Sequence, residues 1–352
     1  MMPRRAFLGL AALGMIAAGC GGEAGHRGDE AVARPAAGGA VVVYSALDRE
    51  FAEPILADYE RTTGVEVLAK YDVESTKTVG LTNLIVAEAT SPRCDVFWNN
   101  EILNTLRLKE RGLLAPFRPA SAADLPESFR AKDATWYGFA ARGRILIVNT
   151  KLVAEADRPR SISDLVDPKW KGKVGIAKPL FGTTATHAAC LFAAWGDARA
   201  EAYFRALKAN GVAVLSGNKQ VATEVGSGAL AFGLTDTDDA MGEVDAGQPV
   251  AIVYPDREPG GLGTLFIPNT LAILKGGPHP KEAEALAARL LGPEVEGKLA
   301  EGPSAQIPLL RTTQAPARVE TPRTVHPMAV DWDAAVRHWD EAMGFLAAEF
   351  AG

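Results

Sequence analysis

"AVVVYSALDREFAEPILADYERTTGVEVLAKYD", residues 40–72, predicts a strand, a helix and a second strand in succession. The opening run is short, β-branched and almost entirely apolar, which is typical of a strand covered on both faces. Phe51, Ile55 and Tyr59 then recur at helical spacing, and Gly64 stands where a helix commonly stops. Such a unit indicates parallel strands joined by a crossover helix.

The same alternation continues along the chain and predicts an α/β fold with a largely parallel sheet. Further strands are predicted at 94–101, 143–153, 229–236, 250–256 and 263–276. Further helices are predicted at 76–90, 104–114, 183–196, 198–211, 280–302 and 331–352. About 310 residues follow the N-terminal region, which is enough for two lobes of ordinary domain size.

The N-terminal segment has the features of a bacterial export signal, predicted over residues 1–19. Arg4 and Arg5 precede an apolar run, as in a twin-arginine signal, and "AAGC" resembles a lipoprotein cleavage box. We therefore expect Cys20 to be lipidated and residues 20–39, rich in Gly and Ala, to form a flexible tether. The alternative is an ordinary secretory signal in which the cysteine occurs by chance.

The composition excludes several classes of protein. The formal net charge is −6, which argues against nonspecific nucleic-acid binding, because such binding depends on clustered Lys and Arg. Beyond Cys20 no segment is apolar for long enough to predict a membrane span. The five histidines show no zinc-type spacing, and the sequence leaves open whether Cys94 and Cys190 are bonded.

Five segments together resemble the bacterial solute-binding proteins of ABC transporters, in particular the ferric-ion-binding branch. They are "VVVYSALDREFAEPILADYERTTGVEV", "CDVFWNNE", "GFAARGRILIVNTKLV", "SISDLVDPKWKGKVGIAKP" and "GTLFIPNTLAIL". The resemblance implies the type 2 periplasmic-binding-protein architecture, in which two α/β lobes joined by hinge strands close on a ligand in a central cleft. It implies lobe one at 40–141 plus 256–352, and lobe two at 142–255.

The resemblance further implies a transport receptor rather than an enzyme. We expect a monomer, held at the outer face of the cytoplasmic membrane or in the periplasm by its lipid, that delivers a small solute or ion to an ABC permease. A sensor module for a signalling partner is the alternative. A secreted enzyme is a weaker one, because no nucleophile motif, defensible catalytic triad or metal motif is found.

Ligand-binding candidates fall where predicted strands end, since open α/β sheets bind ligands at the carboxyl ends of their strands. Ser45 and Trp98 each begin a candidate segment that follows a predicted strand. Each also has a purely structural alternative, a helix cap for Ser45 and a core side chain for Trp98. The complete set of candidates is Ser45, Asp48, Trp98, Asn99, Asn100, Glu101, Arg142, Thr183, Thr184, Asp236, Asp238 and Tyr254.

Two of these segments suit an anion. Arg142 and Arg144 fall on one face of a strand, and an arginine fork binds carboxylate or phosphate groups; Arg142 is the better candidate. In the ferric-type relatives an arginine at this place helps to hold a synergistic anion. Thr183 and Thr184 precede an apolar helix, where hydroxyls and free N–H groups form an anion site or a simple cap.

The stretch "GLTDTDDAMG", residues 233–242, departs from the ferric-type pattern. The relatives carry adjacent iron-binding tyrosines here, whereas this chain has Asp236, Asp238 and Asp239. We expect a cleft-edge turn that gives negative charge to the ligand, the alternative being a cap on the next helix. The candidate ligands are a phosphonate, a phosphate ester or another zwitterion, or else ferric ion with a synergistic anion. If a metal binds, its ligands would be Asp236, Asp238 and Glu101. No resident cofactor is expected.

Overall fold

Ten strands form one mixed sheet in the part of the chain that the computed structural model describes, residues 39–73, 76–258 and 260–350. They are β1 (Ala40–Ser45), β2 (Glu66–Tyr71), β3 (Val96–Asn99), β4 (Leu114–Ala115), β5 (Trp136–Asn149), β6 (Val174–Ala177), β7 (Ala213–Leu215), β8 (Phe232–Asp236), β9 (Val250–Val253) and β10 (Phe266–Leu274). The order is β2-β1-β3-β10-β5-β8-β6-β7, with β4 beside β10 and β9 beside β5.

Eleven α-helices connect and cover these strands within the described ranges. They are α1 (Arg49–Thr63), α2 (Val79–Ala87), α3 (Leu103–Glu110), α4 (Gly182–Trp195), α5 (Asp197–Ala209), α6 (Asn218–Ser227), α7 (Thr237–Asp245), α8 (Pro280–Leu290), α9 (Pro293–Glu301), α10 (Trp332–Arg337) and α11 (Trp339–Phe350). The α/β class predicted from the sequence is confirmed.

The first strand–helix–strand unit forms as its sequence predicts. β1 pairs in parallel with β2, and α1 buries Ala52, Ile55, Leu56 and Tyr59 on one face. The helix ends at Gly64, whose φ of 73° is in the left-handed region that glycine adopts without a steric penalty. The apolar periodicity of this segment therefore determined both its structure and its orientation on the sheet.

β5 is the strand that connects the two halves of the sheet. Its first part, up to Gly143, pairs with β10, and its last part, from Arg144 to Val148, pairs with β8. A register shift opposite Ile267–Asn269 accompanies Ala140, whose φ is 44°. Such irregularities bend a strand and redirect its side chains.

The sheet is less parallel than the alternation of elements predicted. β1 pairs in parallel with β2 and β3, and β6 pairs in parallel with β7 and β8, but every pairing of β5 and β10 is antiparallel. The reason is that these two long strands return between the halves of the sheet without a crossover helix, which single-segment patterns do not reveal.

The two C-terminal helices pack on the helices that follow β6. Phe345 lies 5.9 Å from Phe192 of α4 between ring centroids, and Phe350 lies 6.3 Å from Phe204 of α5. Trp339 and Leu346 are buried in the same hydrophobic cluster. The C-terminal segment thus covers α4 and α5.

Cys94 and Cys190 are buried free thiols in the structure. The predicted export signal, the lipidation site Cys20 and the tether up to residue 38 lie outside the described residues. None of the helices in the described ranges is long and apolar enough to cross a bilayer.

Candidate functional site

Three helices begin around one polar pocket at the ends of β6, β7 and β8. These helices are α4, α6 and α7, and the residues at their N-cap positions, Phe181, Gly217 and Asp236, make no side-chain capping bond. The first N–H groups of a helix have no partner within it, so uncapped N-termini present donors and partial positive charge. The cavity holds about 20 Å³, room for one or two water molecules.

Asp236 lies at the base of the pocket in a network of four polar side chains. Its Oδ1 accepts a hydrogen bond from Nη1 of Arg144 at 2.7 Å, and its Oδ2 accepts from Oγ1 of Thr183 and from Nδ2 of Asn218. Nη2 of Arg144 donates to Oγ1 of Thr184 at 3.1 Å. The charge of Asp236 is therefore largely neutralised by an arginine that is itself completely buried.

Arg142 lines the same pocket and contacts both halves of the sheet. Nη1 donates to the carbonyl of Asn100 at 2.9 Å, Nη2 donates to Oδ1 of Asn269 at 3.1 Å, and Nε lies 3.2 Å from Oδ2 of Asp238. Burial acts to lower the pKa of Arg142, but Asp238 and the other acids around it raise it above its ordinary value. The guanidinium thus stays charged inside the protein.

Asp236, Asp238 and Asp239 are brought together, each with a carboxylate oxygen within 4.8 Å of the others. Burial and the neighbouring Asp236 and Asp48 raise the pKa of Asp238 to about 6, although Arg142 acts to lower it. Burial and the other acids hold the pKa of Asp239 well above its ordinary value. In the described ranges the Asp239 side chain has no ion pair, so it is available to a ligand with a proton donor or positive charge.

Asp48 and Lys77 form the opposite wall of the pocket. Nζ of Lys77 lies 2.6 Å from Oδ1 of Asp48. Burial acts to raise the pKa of Asp48, but Lys77 outweighs it and the pKa lies below its ordinary value. The carbonyl of Lys77 accepts a hydrogen bond from the N–H of Gly182, whose φ is 56°. This bond joins the α2 side of the pocket to the start of α4.

Glu101 lies apart from the acidic cluster, so the structure does not bring the three predicted metal ligands together. The carboxylate is fully buried and accepts hydrogen bonds from the N–H groups of Leu103 and Asn104, from Nδ2 of Asn99 and from Oγ1 of Thr186. It therefore caps α3 and connects it to α4. A carboxylate used in this way has no free oxygen directed at the pocket.

Other predicted site residues also lie away from the pocket. Trp98 is completely buried and packs 5.7 Å from Phe139, because side chains alternate along β3 and this one faces the core. The hydroxyl of Tyr254 accepts from the N–H of Glu320 and faces a different surface. Ser45 bonds to the carbonyl of Leu47. None of these three side chains, nor that of Asn99, lines the pocket.

Asp48, Asn100, Arg142, Thr183, Asp236 and Asp238 are the predicted residues that line the pocket. Thr184 does not line the pocket but accepts a hydrogen bond from Arg144, which also donates to Asp236. Asn100 is nearly fully buried, and its Oδ1 has no hydrogen-bond partner in the described ranges. A buried carbonyl oxygen without a donor is costly, which indicates that a ligand or water donates to it.

Among the polar residues that line the pocket, Lys77, Lys178, Ser216 and Asn218 were missed from the sequence. Lys178 directly follows β6, as the strand-end rule would have suggested. Its ammonium has no ion pair in the part of the chain that the structure describes. Asn218 begins the helix that follows β7, a short strand that the sequence analysis did not predict, and Lys77 lies in the turn before α2.

Comparison with known proteins identifies the family. Residues 91–338 match the family described as bacterial extracellular solute-binding protein. The chain is 24% identical over 257 residues to the Fe(3+)-binding periplasmic protein of Serratia marcescens, which covers 72% of this chain and 73% of that protein. It is 27% identical over 177 residues to the major ferric iron-binding protein of Neisseria meningitidis, about half of each chain (49% and 51%).

Solved structures show the same two-lobe fold. Iron-bound HitA from Pseudomonas aeruginosa superposes with a TM-score of 0.78 at 24% identity, covering 88% of this chain and 98% of that one. AfuA from Actinobacillus pleuropneumoniae, with exogenous fructose-6-phosphate bound, gives a TM-score of 0.79 at 21% identity, covering 89% and 99%. The chain therefore belongs to the bacterial extracellular solute-binding proteins, the ligand-capturing components of ABC transport.

Proposed function

We propose that this protein is the lipid-anchored receptor of an ABC importer and that its ligand is a small organic solute carrying a phosphate or phosphonate group. The anchor would be Cys20, and the solute would be delivered to a permease in the cytoplasmic membrane. The observation that carries the proposal is the pairing, in one pocket, of uncapped helix N-termini beside Lys178 with the unpaired carboxylate of Asp239.

The anionic end of the solute would bind at the starts of α4 and α6. Phe181 and Gly217 offer no side-chain capping oxygen. The N–H of Gly182 donates to the carbonyl of Lys77, so the N–H groups of Thr183 and Thr184 in α4, and those at the start of α6, are the ones available to phosphate oxygens. Lys178 adds a positive charge that no residue of the described ranges neutralises. Backbone donors and a point charge are the usual elements of a phosphate site.

The other end of the solute would meet carboxylates and an amide oxygen. Asp239 and the Oδ1 of Asn100 both lack a hydrogen-bond donor in the described ranges, and both line the pocket. Hydroxyl groups of a sugar phosphate, or the ammonium of an aminoalkyl phosphonate, would donate to these oxygens. A pocket with donors at one end and acceptors at the other favours a bifunctional solute over a simple anion.

Binding would require the two lobes to separate. The pocket leaves only about 20 Å³ of free space in this conformation, so we propose that the lobes open to admit the solute. The contacts that would break across the cleft include Gly182–Lys77, Thr186–Glu101 and Lys219–Glu50, the last an ion pair of 2.9 Å. We retain the lobe boundaries 40–141 plus 256–352 and 142–255 as part of this proposal, with one exception. The change of partners along β5 supports the boundary near residue 142, whereas α11, which packs on α4 and α5, would move with lobe two.

Ferric ion is the second candidate, favoured by the clustering of Asp236, Asp238 and Asp239 and by the names of the relatives. Two of these carboxylates are already paired with Arg144 and Arg142, and Arg142 and Lys178 also line the pocket. None of the tyrosines in the described ranges lines this pocket. A trivalent cation here would need a synergistic anion to satisfy the basic side chains, and the organic solute needs no such addition.

Isothermal titration of the mature protein, freed of tag and lipid, tests the proposal. The panel would contain fructose 6-phosphate, 2-aminoethylphosphonate, inorganic phosphate, and ferric citrate with carbonate. We expect binding of one of the two organic compounds with stoichiometry one, and at least tenfold weaker binding in Lys178→Gln. Lys171→Gln, an exposed lysine in the preceding turn, is the matched control. Binding of ferric ion alone, unaffected by Lys178→Gln, would contradict the proposal in favour of the metal.

A further inference from the structure

A second group of metal-ligating side chains lies outside the cleft, between the start of α5 and the start of α11. Asp197 is the first residue of α5, and His338 and Glu341 flank the beginning of α11. One ligand atom from each side chain lies within 4.8 Å of the others. We propose that these three residues bind a divalent transition-metal ion of the zinc class.

The spacing between Asp197 and His338 is the first argument. Nδ1 of His338 lies 3.4 Å from Oδ1 of Asp197. A charged hydrogen bond would be shorter, about 2.7–2.9 Å. Two ligands bound at about 2.0–2.2 Å to one tetrahedral ion lie roughly 3.3–3.6 Å apart. The observed separation matches two ligands of one ion better than a direct hydrogen bond.

The state of the Asp197 carboxylate is the second argument. The Asp197 side chain is 42% exposed, but its Oδ1 is shielded from solvent and accepts no hydrogen bond from any described residue. A buried carboxylate oxygen without a donor is unfavourable unless an ion or water compensates it. This oxygen is the same atom that faces His338, so an ion between them would satisfy both.

The third ligand can adjust to the ion. His338 and Glu341 are three residues apart, which places them on the same face at the start of the helix. Glu341 is exposed, so its carboxylate can move toward the other two without disturbing the core. One imidazole and two carboxylates leave the fourth tetrahedral position to water. This nitrogen and oxygen set suits Zn²⁺ and Co²⁺ better than Ca²⁺ or Mg²⁺.

The ion would fasten the C-terminal helix to α5. Ion pairs from Arg205 and Lys208 to Glu349 already join the same two helices at their other ends. Those pairs are exposed and contribute little individually. With a metal ion at the beginning of α11 as well, both ends of this helix would be attached to α5. We therefore expect slower amide hydrogen exchange in α11 when the ion is bound.

Titration of the untagged mature protein with Zn²⁺, followed by calorimetry and by the visible absorption of Co²⁺, tests the site. We expect one ion per chain, and affinity at least tenfold lower in His338→Gln and in Asp197→Asn. His326→Gln, which removes an exposed histidine elsewhere, should bind as the wild type does. Asp239→Asn separates this site from the cleft, because it changes only the acidic cluster there.

The affinities of these variants show which group of side chains binds the ion. Wild-type affinity in His338→Gln, or loss of binding in Asp239→Asn, would overturn the proposal and assign the ion elsewhere. Circular dichroism and melting of the metal-free variants would verify that they fold. The result is independent of the solute, because the cleft shares no residue with this site.

Discussion

Nη1 of Arg144 lies 2.7 Å from Oδ1 of Asp236, and neither side chain is more than 4% exposed. The pair joins β5 to the end of β8, where the two strands are in register. The charge of Asp236 is thus compensated by Arg144. A ligand would therefore bind the other polar groups that line the pocket.

We expect Asp236→Asn to lower the free energy of unfolding by about 3–5 kcal/mol, because it leaves the Arg144 guanidinium buried without its counterion. Urea denaturation would measure the loss. The double variant Arg144→Met with Asp236→Asn should recover much of it, since both charges are then absent. Equal losses in the single and double variants would show that packing rather than charge accounts for the effect.

The pH dependence of stability should reveal the raised pKa of Asp238. A carboxyl whose pKa is about 6 when folded and 3.8 when unfolded holds its proton more tightly in the folded state between these values. It therefore contributes stability at low pH that is lost as the pH rises through about 6. The loss should amount to about 1–3 kcal/mol.

Asp238→Asn is the matched control for this pH effect. Unfolding curves of the ligand-free protein from pH 4.5 to 7.5 should slope less in the variant than in the wild type. Parallel curves would mean that Asp238 is already ionised at pH 5 and that Arg142 determines its charge.

Glu101→Gln should destabilise the protein by about 3 kcal/mol, because the amide cannot accept all the hydrogen bonds that the carboxylate receives from two backbone N–H groups, Asn99 and Thr186. Thermal and urea unfolding would measure it. Ligand stoichiometry should remain one. A selective loss of ferric binding with unchanged stability would restore Glu101 as a metal ligand.

Trp98→Ala should lower the free energy of unfolding by about 3–5 kcal/mol through the cavity left beside Phe139. Trp98→Phe should recover most of this loss, and solute affinity should be the same in Trp98→Phe as in the wild type. A large drop in affinity without loss of stability would place the indole in the ligand site.

The sequence by itself was sufficient for the fold class and for part of the site. β1, α1 and Gly64 follow from apolar periodicity and stop signals, which are local properties of the chain. Asp48, Thr183 and Asp236 were predicted because the carboxyl ends of strands meet at one edge of a sheet, and the structure places them, with Arg142, around one pocket.

The direction of each of these side chains, and the partner that it contacts, depends on the tertiary structure. Trp98 and Asn99 lie at a strand end as predicted, but the direction of each side chain depends on which face of β3 meets the core. Arg144 and Asp236 are 92 positions apart, and their pairing follows from the register of two antiparallel strands.

Tertiary packing also places Lys77, Lys178 and Asn218 at the pocket. It likewise places Asp197 near His338 at the proposed metal site. Each is an unremarkable residue in its own segment and acquires a role from a neighbour that is distant in the chain. Local patterns determine which elements form, because they depend on interactions within a few residues. The partners of buried charges depend on the packing of those elements, because a charge removed from water is stabilised by whichever groups the fold brings within a few ångströms.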